Sequence, residues 1–357
     1  MELTSYFDDF TAPDWPRADE GLVRFAMVGL GWWTREHAIP ATNDLDRTET
    51  RVVVSSTAEK ARSVAAEHPT VERALTYEEF RNGAATDAYD AVYVGTPNAL
   101  HLPYVETAAE QGKDVLCEKP VEATAERAER LVDAASDVRL AVAYRLHVQP
   151  AARMARRLVR EGFVGEPAYV VSNMSQRLLE YDPDPDQWRL DTDLVGPGAS
   201  VTDLGLYPIN TSRFVLDADP VAVTGSTWSG SDGFESVPDE RAAFTVEFPD
   251  GVSASCAVSQ NARRGSSFRI VGTAGELVVE DAFIAAKPVS LTVSRGGTTA
   301  TTEFDQIDET RRLVGYFADH LLTGTPVRGD GEHALVDQRT IDAVYDAADR
   351  GERVEVE

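Results

Sequence analysis

Cysteine is rare in this chain, with two in 357 residues, which argues against a disulfide framework and fits a reducing compartment. No apolar run approaches the roughly 20 residues that span a bilayer. The acidic first 20 residues lack the basic start and apolar stretch of a secretory signal. The six histidines are scattered, and no spacing of cysteine, histidine or carboxylate residues indicates a metal site. We therefore expect a cytoplasmic protein with no metal centre.

Lysine is also scarce, and it occurs only as Lys60, Lys113, Lys119 and Lys287. The chain has 60 acidic against 34 basic residues, a formal net charge of −26. Such a surface repels nucleic acid and anionic lipid, so neither is expected as a partner. An acidic excess with little lysine resembles the composition of halophilic proteins, whose self-repulsion is screened by concentrated salt.

The first large segment, residues 22–148, alternates short apolar runs with amphipathic stretches typical of helices. This alternation predicts a parallel, doubly wound sheet with helices on both faces, which is a Rossmann dinucleotide-binding domain. A chain of this length exceeds the usual size of a single core, so a second domain is expected. The apolar runs are 23–28, 51–54, 91–94, 115–116 and 140–143.

The second large segment, residues 149–357, predicts an α+β domain with a large, mostly antiparallel open sheet. Apolar runs separated by turn residues follow residue 167, and Pro249-Asp250-Gly251 predicts a hairpin turn between two of them. Helical stretches are expected at 150–161, 309–322 and 335–350. Residues 1–21 are interpreted as an acidic arm without assigned structure.

A glycine-rich loop predicts where a dinucleotide binds. The run Gly29-Leu30-Gly31-Trp32-Trp33 follows the first strand and opens a helix. Its two glycines allow a tight turn and a close approach of the backbone to a pyrophosphate at the helix amino terminus. Thr34 replaces the third glycine of the usual pattern, and glycine pairs also occur in ordinary turns. Pro40 falls inside the expected helix, which must therefore be short or kinked.

The end of the second strand favours NADP over NAD. Ser55, Ser56 and Lys60 stand where NAD-specific domains usually place an acidic residue for the ribose hydroxyl. Hydroxyls and a cation suit a 2′-phosphate, whereas a carboxylate would repel it. The alternative is that Ser55–Thr57 merely cap the next helix and that Lys60 is a solvated surface residue.

Three further segments make the chain resemble the glucose-fructose oxidoreductase/inositol dehydrogenase (Gfo/Idh/MocA) family. The resemblance covers nearly all of the chain after residue 22, and two shorter runs, Tyr144-Arg145 and Gln187-Trp188-Arg189, are most similar to its aldose-oxidising branch. The three segments are Thr96-Pro97-Asn98-Ala99-Leu100-His101, Glu118-Lys119-Pro120, and Gly196-Pro197-Gly198 with Asp203-Leu204-Gly205-Leu206-Tyr207.

The resemblance implies a catalytic group of Lys119, Asp203 and Tyr207. Tyr207 is assigned as the acceptor of the hydroxyl proton, because an ammonium beside a phenol favours the basic phenolate. Lys119 would supply that ammonium and bind the substrate hydroxyl, although the roles of Lys119 and Tyr207 could be exchanged. Asp203 would orient Lys119 or the sugar. Individually, Lys119 could flank a surface turn, Asp203 could cap a helix and Tyr207 could be core packing.

The resemblance also implies further contacts to the cofactor. Thr96, Pro97, Asn98 and His101 would pass the nicotinamide ribose, with a helix-capping turn as a compatible alternative. Tyr144 would contact substrate, and Asn210 stands where relatives carry other residues, so a substrate contact there is in doubt. The remaining expected cofactor residues are Glu118, Lys119, Arg145, Trp188 and Arg189. Arg189 could reach the cofactor phosphates; the alternatives are a surface ion pair for Arg145 and a role as a packing anchor for Trp188.

The function implied is that of an NADP-dependent aldose 1-dehydrogenase, which would oxidise a pyranose at C1 to the lactone. D-xylose is favoured as substrate, with D-glucose as the second choice. Alternatives are an inositol or polyol dehydrogenase, a glucose-fructose oxidoreductase-like enzyme, and, from another class, a nucleotide-binding sensor without turnover. The open sheet would leave an apolar face, which favours a homodimer or homotetramer.

Overall fold

A computed structural model describes residues 14–285 and 287–357. Most of the expected acidic arm, residues 1–13, lies outside the described residues. The chain divides into two compact units, one of residues 14–145 with 308–335 and the other of residues 146–307 with 336–357. The segment 308–335, which the sequence analysis placed in the second domain, therefore belongs to the first unit.

The first unit contains the predicted parallel sheet. Six strands pair in the order β3-β2-β1-β4-β5-β6, and every pairing is parallel. β1 and β4 are almost fully buried, which explains their continuous apolar sequences. The strands are β1 (Val23–Val28), β2 (Thr48–Ser55), β3 (Arg73–Thr76), β4 (Ala91–Val94), β5 (Asp114–Cys117) and β6 (Leu140–Val142).

The helices between these strands begin at capping residues. Thr57 and Thr124 accept the backbone N–H groups of Lys60 and Arg127, and Thr76 forms a capping box with Glu79. The helices are α1 (Ile39–Asn43), α2 (Ala58–Glu67), α3 (Tyr77–Arg81), α4 (His101–Glu110) and α5 (Ala125–Ala134).

Pro40 has the effect expected of it. The segment after the glycine loop begins as a π-helical turn, Thr34–Ala38, and continues as the short α1, in which Pro40 occupies the first turn. Residues 32–43 are continuously helical, so Pro40 lies inside a helical segment that contains a π-type turn, and such turns commonly accompany prolines and distortions of the hydrogen-bond ladder. The α-helix that contains Pro40 is five residues long, so the expectation of a short helix is confirmed.

The second unit contains a nine-stranded sheet in the order β14-β13-β12-β11-β7-β10-β9-β8-β15. Every pairing is antiparallel except that of β7 with β10, so the predicted sheet is confirmed. The hairpin at Pro249–Gly251 joins β9 to β10, with Asp250 and Gly251 at positive φ. The strands are β7 (Pro167–Arg177), β8 (Ala222–Trp228), β9 (Arg241–Glu247), β10 (Ser253–Ser259), β11 (Asn261–Gly272), β12 (Gly275–Glu280), β13 (Val289–Arg295), β14 (Thr298–Phe304) and β15 (Val354–Glu355).

Longer helices complete the two units. Val201–Gly205 forms a second π-helical turn, which runs directly into α9. No helix in the described part of the chain is both long and apolar enough to cross a membrane. The helices are α6 (Pro150–Arg160), α7 (Leu178–Tyr181), α8 (Thr192–Val195), α9 (Leu206–Leu216), α10 (Glu309–Thr323) and α11 (Gly331–Arg350).

Asp319 on α10 binds two parts of the first unit, the segment of Trp15 and Ala18 and the residue Arg47. Its carboxylate accepts hydrogen bonds from the Trp15 indole at 3.1 Å and the Ala18 amide at 3.1 Å, and pairs with Arg47 at 2.7 Å. The Asp319 side chain is almost fully buried, and burying a carboxylate is stabilising only when it is paired in this way. This contact explains why α10 and the last residues of the expected arm belong to the Rossmann unit.

Candidate active site

The two glycines of the loop after β1 have different surroundings. Gly29 adopts φ +91°, and an added β-carbon would lie 2.7 Å from the Gly95 carbonyl oxygen and 2.8 Å from Thr96. A β-carbon at Gly31 would meet no described atom within 4 Å. Gly29 is therefore required by the protein's own packing, whereas Gly31 leaves an open cradle at the start of a helical segment. This cradle fits the pyrophosphate of a dinucleotide.

Aromatic rings flank this cradle. Trp32 is 69% exposed, and its ring meets that of His37 edge-on with the centroids 5.0 Å apart. Trp33 packs more closely on the same histidine, at 4.4 Å. Leu30, by contrast, is buried in the core, so only its backbone could contact a ligand.

Thr57 and the first two turns of α2, which follow β2 in the chain, form one side of a cleft of about 330 Å³. Ser55 is buried, whereas Ser56 is exposed and Lys60 projects from the first turn of α2. The hydroxyl oxygen of Thr57 accepts the Lys60 backbone N–H at 3.2 Å. Thr57 thus supplies the helix cap, as the alternative interpretation of the run Ser55–Thr57 expected, whereas the two serines do not.

Hydrogen bonds of a buried histidine hold the loop after β4 in place. His101 is fully buried, with Nε2 2.9 Å from the Thr96 carbonyl oxygen and Nδ1 3.1 Å from that of Val121. Thr96 and Asn98 are also buried, and Pro97 directly precedes the short helical turn that begins at Asn98. His101 therefore stabilises the loop that was expected to pass the nicotinamide. The neighbouring residues Thr96 to Asn98, rather than His101, are the candidates for direct contact with a ligand.

Lys119 follows β5, at the carboxyl end of the parallel strands, where ligands bind in such sheets. The Glu118 carboxylate accepts the Tyr93 hydroxyl at 2.7 Å and the Lys119 backbone N–H at 3.2 Å. Burial, and then the nearby Glu118, raise the pKa of Tyr93, so its hydroxyl remains a donor. Glu118 thereby fixes the backbone from which the Lys119 side chain extends.

Arg145 and Tyr144 follow β6 and are both largely buried. The Arg145 guanidinium forms a buried ion pair with Glu309 at the start of α10. The Tyr144 ring meets that of His333 at 5.6 Å. Arg145 thus forms an ion pair, as the alternative interpretation expected, but the pair is buried rather than at the surface and links the Rossmann strands to α10.

In the second unit, Asp203 and Tyr207 stand four positions apart on the continuous helical segment formed by the π-turn and α9. Asp203 accepts a hydrogen bond from the Gln260 amide at 3.0 Å. The Arg189 guanidinium lies 3.8 Å from the same carboxylate and stacks over the Trp188 ring at 4.5 Å. The structure therefore brings Asp203, Arg189 and Trp188 together, whereas Arg189 had been expected at the cofactor phosphates.

Asn210 lies one turn further along α9 and belongs to the core. Its amide donates to Asp337 at 2.8 Å, and Asp337 is paired with Arg213 at 2.7 Å. All three side chains are buried. This accounts for Asn210 without a substrate contact. No group of three or more potential metal ligands occurs among the described residues.

Sequence comparison assigns both halves of the chain to one family. Residues 23–145 match the description "Oxidoreductase family, NAD-binding Rossmann fold" of the Gfo/Idh/MocA family. Residues 152–278 match its C-terminal domain. The chain belongs to the Gfo/Idh/MocA oxidoreductase family. The family expected from the motifs is confirmed.

Individual relatives of this oxidoreductase align over nearly their full length. A D-xylose 1-dehydrogenase (NADP(+)) from Haloarcula marismortui is 53% identical, over 98% of each chain. A second D-xylose 1-dehydrogenase (NADP(+)) from Haloferax volcanii is 32% identical, over 93% of this chain and 99% of the relative. Among solved structures, an aldose-aldose oxidoreductase from Caulobacter crescentus in complex with glycerol superposes with a TM-score of 0.85. It is 29% identical and covers 94% of this chain and 99% of its own.

In this oxidoreductase the segment that carries Asp203 is held by residues that the sequence motifs did not indicate. Asp239 is fully buried and accepts the backbone N–H groups of Ala199 at 2.6 Å and Val201 at 2.7 Å. Its second oxygen also accepts the Tyr345 hydroxyl at 2.7 Å. Asp239 thus binds the start of the helical segment that carries Asp203. It lies between strands in an unremarkable sequence, so no motif could have identified it.

Proposed function

We propose that this oxidoreductase is an NADP-dependent aldose 1-dehydrogenase that oxidises a pyranose, D-xylose before D-glucose, at C1 to the lactone. The observation that carries the proposal is the 53% identity, over 98% of both chains, with a D-xylose 1-dehydrogenase that uses NADP. The Gly31 cradle and the cleft at the start of α2, which Arg35 and Lys60 line, support a phosphorylated dinucleotide.

The chain's own residues divide the chemistry as follows. Bound NADP supplies the acceptor for the hydride that leaves C1 of the sugar. Tyr207 takes the proton of the C1 hydroxyl, so that the C–O bond becomes the lactone carbonyl. Lys119 binds that hydroxyl and favours the phenolate of Tyr207. Asp203, held by Gln260 and Arg189, orients the sugar.

Further cofactor contacts are proposed from the residues that follow the strands of the Rossmann sheet. The backbone of the glycine loop and the rings of Trp32 and Trp33 line the cradle. The loop from Thr96 to Asn98, shaped by His101, faces the nicotinamide ribose. Tyr144 contacts substrate. The remaining cofactor residues proposed are Ser55, Ser56, Lys60, Glu118, Lys119, Arg145, Trp188 and Arg189.

A homodimer or homotetramer in the cytoplasm completes the proposal. Tyr169 and Val171 on β7 are 41% and 43% exposed and point to the same side of the strand. β7 is the central strand of the nine-stranded sheet, so these two exposed side chains lie in the middle of a sheet face, where a second copy of the chain would bury them.

The experiment that tests the activity is reduction of NADP, followed at 340 nm in molar KCl, with D-xylose, D-glucose and inositol as substrates. We expect the highest rate with D-xylose. Turnover of inositol without turnover of aldoses would favour a polyol dehydrogenase. NADP binding without turnover of any sugar would favour a nucleotide sensor.

Lys119→Ala and Tyr207→Phe test the catalytic assignment. Each variant should lower kcat by about 10²- to 10⁴-fold, the usual contribution of a positioned proton-transfer group, while the Kd for NADP measured by fluorescence stays within about twofold. Lys287→Ala is the matched control, because Lys287 forms an exposed ion pair with Asp281 at 3.1 Å and should retain full activity. A Lys119→Ala or Tyr207→Phe variant that turned over at the wild-type rate would remove that residue from the mechanism.

A further inference from the structure

The cleft beside the amino-terminal end of α2 contains a cation that the sequence motifs did not reveal. It has a volume of about 330 Å³ and is open to solvent on one side. Arg35 enters it from the π-helical turn after the glycine loop, opposite the first turn of α2. The side chains that line the cleft are those of Arg35, Thr57, Glu59, Lys60, Ser63 and Val64.

The guanidinium of Arg35 is only loosely engaged. Its ion pair with Glu67 is long, 3.6 Å between Nη2 and Oε2, and both side chains are about half exposed. Exposed pairs of this kind contribute little to stability. The Nε atom is buried and has no hydrogen-bond partner among the described residues. A guanidinium carries five N–H donors, so Arg35 has donors available for a ligand in the cleft.

We propose that Arg35 recognises the adenosine 2′-phosphate of NADP, together with Lys60 and the hydroxyl of Thr57. The planar guanidinium forms two parallel hydrogen bonds to a phosphate, and Lys60 adds a second positive charge. The Thr57 oxygen already accepts the Lys60 backbone N–H at 3.2 Å, which leaves its hydroxyl hydrogen to donate to the ligand. The free backbone N–H groups at the start of α2 favour an anion at the same place.

Charge in the cleft explains why two cations are needed. Glu59 lines the same cleft and repels a phosphate, so Lys60 alone would leave the lining without net positive charge. Arg35 makes the lining net positive. In molar salt the Debye length is about 3 Å, so cations elsewhere on the protein cannot assist. Only groups in direct contact with the phosphate hold it, and NAD, which has a hydroxyl in place of the phosphate, gains little from them.

This inference rests on the proposed function only in taking NADP as the cofactor, and its test measures binding rather than turnover. The Kd values for NADP and NAD are measured by titration calorimetry in molar KCl. Arg35→Ala should raise the Kd for NADP by about 10- to 100-fold, the range expected for hydrogen bonds to a charged group. The Kd for NAD should change by less than about twofold.

Arg130→Ala is the matched control. Arg130 lies in the same unit and forms an equally loose, exposed ion pair, 3.8 Å from Glu106, so the variant removes the same charge far from the cleft and should leave both Kd values unchanged. Arg35→Gln keeps the length of the stem and serves if Arg35→Ala does not fold; the same loss of NADP affinity is expected.

Two results would overturn the assignment of Arg35. One is an unchanged Kd for NADP in the Arg35 variants. The other is an equal loss of affinity for NADP and for NAD, which would mean that Arg35 stabilises the loop and does not bind the 2′-phosphate. The proposed function fails differently: a wild-type chain that binds NAD more tightly than NADP refutes its cofactor before any variant is compared. A chain that prefers NADP but oxidises no sugar refutes its activity and leaves the role of Arg35 intact.

Discussion

Asp239 shows how a single buried carboxylate can position the helical segment that carries Asp203 and Tyr207, the proposed catalytic residues. Its two oxygens accept two backbone N–H groups at the start of the π-turn and the hydroxyl of Tyr345. Gly198 is required beside it, because an added β-carbon would collide with the Asp239 carboxylate and the Tyr345 ring. Burial raises the pKa of Asp239 to about 6, although the hydrogen bonds oppose this shift. The carboxylate therefore holds its segment at a cost to stability.

We expect this cost to appear in the pH dependence of unfolding. Because the pKa of Asp239 is higher in the folded state than in the unfolded chain, the folded state binds the proton more tightly. The stabilisation that comes from this tighter proton binding is complete below about pH 4. It is lost as the pH rises to about 6, which lowers the free energy of unfolding by at most about 3 kcal/mol. The free energy of unfolding in guanidinium should therefore decline over this range more steeply in the wild type than in Asp239→Asn.

The difference between wild type and variant isolates Asp239 from the other carboxylates that titrate in the same range. Asp250→Asn, in the exposed hairpin between β9 and β10, is the control and should follow the wild-type profile. Parallel profiles for wild type and Asp239→Asn would show that Asp239 has no raised pKa.

At the scale of elements, we expect Gly29→Ala and Gly31→Ala to differ: the first should lower stability, and the second should weaken NADP binding. Gly29→Ala places a β-carbon against the Gly95 carbonyl oxygen at a positive φ, so it should lower the free energy of unfolding by about 1–3 kcal/mol. Gly31→Ala meets no described atom within 4 Å and should leave stability unchanged. It should instead weaken NADP binding by about tenfold or more, because its methyl group occupies the space into which the pyrophosphate fits.

Chemical denaturation and cofactor titration of both variants separate these two roles. A Gly31→Ala variant with wild-type NADP affinity would place the pyrophosphate elsewhere. A Gly29→Ala variant with wild-type stability would mean that the contact with Gly95 relaxes without cost.

The elements that were predictable are those whose side-chain pattern is set by burial. β1 and β4 are apolar because both of their faces are covered. β14 was missed because it is an edge strand made largely of threonine, whose side chains are mostly exposed. The periodicity of α10 predicted a helix, but it could not indicate that Asp319 would bind Trp15 and Arg47. Such pairings depend on tertiary structure, which leaves no local pattern.

The residues of the candidate site also divide into those that a local sequence pattern predicts and those that only tertiary structure brings near. Motifs proposed Asp203 and Tyr207, because the resemblance to the family assigns chemistry to those positions. They did not point to Gln260 or Asp239, which contact the segment from distant strands and loops. They also did not point to Arg35, because it lines a cleft together with residues of α2 that are distant in sequence, and a sequence pattern shows only one side of such a cleft.

At the scale of the whole molecule, salt affects two opposing sets of charge interactions. The net charge of −26 creates repulsions between carboxylates. Two like charges 10 Å apart in water repel by about 0.4 kcal/mol. At 1 M salt the Debye length is about 3 Å, which nearly abolishes this repulsion. At 0.1 M the Debye length is about 10 Å, and much of the repulsion remains. Contact ion pairs such as Arg24–Asp90, at 2.6 Å, lie within even the shorter length.

We therefore expect salt to remove the repulsions and to spare most of the contact ion pairs. The Tm followed by circular dichroism should rise by more than about 5 °C between low and molar KCl, and activity should rise with it. Sucrose at matched osmolality is the control, because it favours compact states through exclusion from the surface but screens no charge. A smaller rise in sucrose than in KCl assigns the effect to screening. If the Tm were the same at all KCl concentrations, or fell, the ion pairs would outweigh the repulsion, and the acidic composition would not be an adaptation to salt.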